Sequence, residues 1–159
     1  MHARTPQLTL RLETAAGAPD RDAPWCAGSG VAYLGEFLRL ELDTACRAPE
    51  RCAGRLHLPL PPAATQRQIR DAAESWLRDE ALRIFNTVVA QKSALAVRRP
   101  HRIALVFGKR SDWVRQDGEV LRCHWRLVEQ PLAIIEQVLG RALAAMQAEP
   151  VCDDLFALA

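Results

Sequence analysis

Hydrophobic and polar positions first alternate over Leu8-Thr9-Leu10-Arg11-Leu12, which predicts a strand with one face on a core. Thr14 to Gly30 holds Gly17, Pro19, Pro24, Gly28 and Gly30 and reads as a loop or mobile linker. Alternation resumes in Val31 to Leu42, where Leu38, Leu40 and Leu42 share a face and Gly35 marks the turn or bulge of a hairpin. Arg55 to Leu58 makes a third short strand, stopped by Pro59, Pro61 and Pro62. The period then changes from two to 3.6. Thr65 with Gln68 three residues on is a capping-box pattern, and Ile69, Ala72, Ala73, Trp76, Ala81, Ile84, Phe85, Val88 and Val89 recur at helical spacing to about Lys92.

Beyond Arg98-Arg99-Pro100-His101, the residues Ile103, Leu105 and Phe107 alternate as a strand ending at Gly108. Ser111 to Gly118 reads as a polar loop around Trp113, with Asp117-Gly118 as a turn signal. A return strand is expected over Glu119 to Val128, with Leu121, Cys123, Trp125 and Leu127 on one face and Val120, Arg122, His124 and Arg126 on the other. Pro131 stands where a first helical residue would, and Leu132, Ile135, Val138, Leu139, Ala142, Leu143 and Met146 form the apolar face of a second helix ended by Pro150. Strands, helix, hairpin, helix: the order predicts an α+β fold, an antiparallel sheet with two main helices packed on it. Residues 1–30 form an N-terminal strand and loop in this reading, and residues 31–159 the domain proper.

The length of 159 residues leaves no room for a cofactor domain beside a substrate domain. The net charge of +2 is too small to argue for nucleic acid, although the basic side is almost wholly arginine, with Lys92 and Lys109 the only lysines. No roughly 20-residue apolar run suits a membrane span, and the N-terminus lacks the apolar core of a secretory signal. Cys26, Cys46, Cys52, Cys123 and Cys152 form no C-x-x-C pair. A cytoplasmic chain with reduced thiols is expected.

The chemistry-bearing motifs of nucleotide binding and serine hydrolysis are absent: no G-x-x-x-x-G-K-[ST], no G-x-G-x-x-G opening a helix, no G-x-S-x-G. Order and spacing do carry a resemblance. Leu58-Pro59-Leu60-Pro61-Pro62 precedes the first helix, Asp112-Trp113-Val114 stands in the following loop, and Val120-Leu121-Arg122-Cys123-His124-Trp125-Arg126-Leu127 leads to Pro131 and to Ile135-Glu136-Gln137-Val138-Leu139-Gly140. From Leu58 to Phe156 the chain resembles the YgjP-like family, predicted zinc metallopeptidases related to the SprT-like proteins. The resemblance implies a zincin-like fold and descent from a zinc-dependent hydrolase.

The departure falls on the chemistry. In H-E-x-x-H, residues four apart share a helix face, so two imidazoles hold one zinc while the glutamate acts as general base on the bound water. Here the corresponding positions are Arg141, Ala142 and Ala145, with neither ligand nor base. Cys152 falls near the family's third ligand, but one ligand makes no site. No catalytic residue, metal or cofactor is therefore expected. Arg141 at the old metal position could replace the lost cation with a fixed charge.

Nothing in the spacing moves the chemistry elsewhere. Neighbours Cys123 and His124 point to opposite strand faces, His57 and His101 stand alone, and no histidine or acid is placed by sequence to activate Cys46 or Cys52. Arg122, His124 and Arg126 on one strand face, with Trp113 in the loop, outline a modest phosphate-binding surface, although alternating arginines also suit the wet side of a sheet. The expected function is a non-catalytic pseudo-enzyme with a binding or regulatory role. Its candidate binding residues are Trp113, Arg122, His124, Arg126 and Arg141, and a protein partner is expected in the ancestral cleft. The alternatives are a metal-dependent hydrolase of peptide or nucleotide pyrophosphate bonds using unrecognised ligands, and a small nucleic-acid-binding module.

Overall fold

A computed structural model describes residues 24–94, 96–108 and 112–148. The expected strand at Leu8 to Leu12, the 14–23 part of the expected linker, Pro150 and Cys152 lie outside the described residues. Strands β1 (Gly30–Tyr33), β2 (Glu36–Leu42), β3 (Glu50–Cys52) and β4 (Arg55–Leu58) precede helix α1 (Gln66–Lys92). Strands β5 (Arg102–Val106), β6 (Val114–Asp117) and β7 (Val120–His124), a 3₁₀ turn over Trp125–Glu129 and helix α2 (Leu132–Ala148) complete the order. The class is α+β.

The expected single antiparallel sheet is instead two small mixed sheets, ordered β1-β2-β4-β3 and β5-β7-β6. Both are built on one plan. The chain leaves β2, passes beyond the place β4 will occupy to form β3, and turns back so that β4 lies parallel to β2 and antiparallel to β3. In the second sheet β7 likewise inserts parallel to β5 and antiparallel to β6. Sequential strands usually pair, which is why the order of strands alone suggested an antiparallel meander.

Helix α1 begins as its capping box requires. The Thr65 hydroxyl accepts the Gln68 N–H at 3.3 Å and the Gln68 side chain accepts the Thr65 N–H at 2.9 Å. It ends at Ser93, whose buried hydroxyl donates to the Val89 carbonyl at 2.6 Å. Its inner face, with Leu77, Ala81, Ile84, Phe85 and Val88, packs on β4, β5, the 3₁₀ turn and α2. Leu38, Leu40, Leu56 and Leu58 from the first sheet and Leu121, Cys123, Leu127, Ile135 and Leu139 from the second half join it in one continuous core. Trp76 is half-buried against that core.

The expected return strand to Val128 stops at His124. The His124 imidazole accepts the Arg126 N–H at 3.3 Å, turning the chain into a 3₁₀ helix that buries Trp125, Leu127 and Val128. Strand alternation would have exposed Val128. Arg126 thereby leaves the strand face expected for it. The polar loop expected over Ser111 to Gly118 contains β6, and β3 lies where no strand was expected. Helix α2 starts one residue after the expected Pro131, whose carbonyl accepts the N–H groups of Ile134 and Ile135. Near the other end of α2, Gln147 donates to the Arg98 carbonyl and accepts the Arg98 N–H, tying α2 to the segment before β5. No helix among the described residues is long and apolar enough to cross a membrane.

Candidate functional site

Residues facing away from the core on β5, β6 and β7 alternate with the core residues Leu121 and Cys123, and include Val106, Arg115, Asp117, Arg122 and His124. Register sets Arg115 directly across from Arg122. With Phe107 and Asp112 from the flanking loops, Val106, Arg115, Arg122 and His124 line a shallow cleft of about 210 Å³. Phe107 is 57% exposed, and the Arg78 guanidinium, reaching from α1, lies 5.1 Å from its ring centre. Arg122 is bonded to Asp117 at 2.8 Å, whereas Arg115 has no ion-pair partner among the described residues.

His124 is 7% exposed and has both ring nitrogens engaged. Because Nδ1 accepts the Arg126 N–H, the proton sits on Nε2, which donates to the Gly108 carbonyl at 2.8 Å. Both ring nitrogens are thus held by backbone groups, which gives the imidazole a structural role. Trp113, expected as a stacking group, packs half-buried on the core with its ring edge-on to His124, centres 6.1 Å apart. Arg126 lies 5.0 Å from the Trp125 ring centre and pairs with Glu129. Of the five expected binding residues, Arg122 and His124 thus meet in the cleft, Trp113 buttresses it, and Arg126 serves the 3₁₀ turn.

Arg141 and Ala145 are exposed on α2 and Ala142 is half-buried. These three positions place no carboxylate, imidazole or thiolate on that helix face. Cys123 is fully buried, and burial alone pushes its thiol up to about 12, so it carries no nucleophile.

A second constellation was not legible in the sequence. Cys46, expected to lack an acid or histidine beside it, has both. Its thiol donates to Asp43 Oδ2 at 3.5 Å, and His57 Nδ1 lies 3.9 Å from the same oxygen. The ligand atoms of Asp43, Cys46 and His57 all fall within 4.8 Å of one another. The parallel pairing of β2 with β4 does this, setting Glu41 beside His57 and the loop after β2 at the same end of the two strands. The only signal in sequence was Asp43-x-x-Cys46, which means little until that register is known.

No protein-family model, no curated protein and no solved structure matches this chain.

Proposed function

We propose that the chain is a non-catalytic binding protein, a zincin-like scaffold related to the YgjP-like proteins that has lost its hydrolytic centre and receives an anionic segment of a protein partner. The observation that carries this reading is the cleft itself: Arg115 and Arg122 are cross-strand neighbours beside exposed Phe107, while the His124 imidazole in the same lining has both nitrogens bonded to backbone. The Arg115 guanidinium, next to the Arg122–Asp117 pair, suits a carboxylate, and the adjoining ring suits an apolar neighbour on the same segment. Among the described residues, the carboxylate lining the cleft, Asp112, has interactions of its own, and Asp117 is bonded to Arg122. Binding is therefore supported where acid–base chemistry is not.

The succession of α1, β5, β7 and α2 supports the reading, with β6 added where the resemblance implies a loop, and positions 141, 142 and 145 on α2 offer no zinc ligand. A net charge of +2 and the presence of Asp112 and Asp117 beside the arginines favour a peptide over a phosphate backbone. The test is fluorescence anisotropy with a labelled peptide alternating glutamate and leucine, and with a labelled mixed single-stranded oligonucleotide, each at low and high salt. The peptide should bind, and Arg115→Ala with Arg122→Ala should weaken it about tenfold or more. Tighter oligonucleotide binding with a steep salt slope would replace this reading with the nucleic-acid one. Cleavage of unfolded casein by the chain, with or without added zinc, would overturn the non-catalytic assignment.

A further inference from the structure

We infer that Asp43, Cys46 and His57 form a binding site for a divalent metal ion of the zinc class, on the outer face of the first sheet and independent of the cleft on the second. A tetrahedral zinc with one sulfur, one nitrogen and one oxygen ligand at ordinary bond lengths holds those atoms roughly 3.3–3.6 Å apart. Cys46 Sγ and Asp43 Oδ2 are already 3.5 Å apart, and Oδ2 to His57 Nδ1 is 3.9 Å. The remaining pair lies within 4.8 Å, so contraction of at most about 1.2 Å closes the set.

The surroundings are those of a cation site. The other Asp43 oxygen accepts the Ala45 N–H at 2.9 Å, which fixes the carboxylate and the loop carrying Cys46. Glu41 turns one oxygen to Arg55 at 2.8 Å and the other to His57 Nδ1 at 3.8 Å. Register places Glu50 on the opposite side of His57. All three proposed ligands are half-buried, so an ion can enter from solvent and keep a water in its fourth position.

The same atoms do not make an activated thiol. A nucleophilic cysteine needs an electropositive setting and a base that takes its proton, whereas here the thiol donates to the Asp43 carboxylate and the carboxylates of Glu41 and Asp43 both lie against His57 Nδ1. Desolvation, the bond to Asp43 and the charges of Asp43 and Glu50 hold the Cys46 thiol above its ordinary range. The thiol proton is released to solvent as the metal–sulfur bond forms.

Cobalt(II) titration of the metal-free full chain tests the site, since a thiolate ligand gives a near-ultraviolet charge-transfer band that oxygen and nitrogen ligands do not. The band should grow to one equivalent, be displaced by zinc, and remain in Cys52→Ser and Cys152→Ser. It should vanish in Cys46→Ser and weaken, with affinity down about tenfold or more, in His57→Ala and Asp43→Asn. Circular dichroism establishes that each variant is folded, and a variant that misfolds leaves the other two informative. Absence of the band in the wild-type chain, its survival in Cys46→Ser, or its loss in Cys52→Ser or Cys152→Ser overturns the assignment.

Discussion

Leu34 and Ala53 adopt positive φ values of 50° and 44°, each followed by a glycine that does the same, at 81° and 75°. Left-handed backbone at both central residues is the hairpin turn whose twist matches its strands, and it disfavours Cβ-bearing residues other than asparagine and aspartate. Ala53 is exposed, so Ala53→Asn should stabilise the chain by about 0.5–1 kcal/mol, read as a rise in the urea midpoint. Tyr33 makes the opposite kind of contribution. It is 2% exposed, with its hydroxyl donating to Glu80 Oε2 at 2.6 Å, and Glu80 in turn holds Arg83 at 2.7 Å. Burial, then the Glu80 bond and charge, push the Tyr33 phenol up to about 12. The folded state therefore retains a proton that the unfolded chain gives up near pH 10, and stability is lost as pH rises from 10 to about 12. Tyr33→Phe should flatten that loss and cost about 1 kcal/mol at neutral pH, measured by denaturation at a series of pH values. The Arg83 bond, partly offset by burial, holds the Glu80 carboxyl below its ordinary range, so its contribution is complete above the unfolded value and fades as pH falls through the folded one. A contact between positions 33 and 80 has no local trace in the sequence.

Among the elements, α1 was the most legible, since 27 residues give seven turns of repeated signal and a reciprocal cap marks the start. Thr65→Ala removes an acceptor that no neighbour replaces and should cost about 1 kcal/mol, visible in thermal or urea unfolding. Strand β3 was illegible for the converse reason. Glu50, Arg51 and Cys52 are all exposed, so no buried face imposes alternation on them. Strand β7 is shorter than its sequence period, because Trp125 and Leu127 continue that period while a single imidazole contact to the Arg126 N–H converts the continuation into a 3₁₀ turn. That conversion also separates Arg126 from Arg122, and with it half of the surface expected from strand alternation.

At the scale of the molecule, the first hairpin docks on the second half through backbone. Leu34 N–H donates to the Val128 carbonyl at 2.8 Å and Gly35 N–H to the Glu129 carbonyl at 3.0 Å. A methyl group on Gly35 would stand 2.8 Å from Pro131 Cγ, and φ at that position is positive. Gly35→Ala should therefore destabilise the whole chain by about 2–3 kcal/mol, lowering the urea midpoint with a single transition retained because one core joins both sheets. The Gly35 turn was legible in sequence, but its docking on Pro131, 96 positions away in the numbering, was not.

By itself the sequence determined what depends on near neighbours: the two helices and the Thr65–Gln68 cap of the first, the apolar faces of β2 and β7, the α+β class, and the residue types at 141, 142 and 145. The tertiary structure decided what depends on pairing across distance. Inserting β4 and β7 into the middle of their sheets set the parallel registers, and those registers place Arg115 opposite Arg122 and carry His57 to Asp43 and Cys46. The physical reason is that hydrophobic periodicity specifies which face of a strand is buried, while the choice of neighbour rests on how the whole core closes.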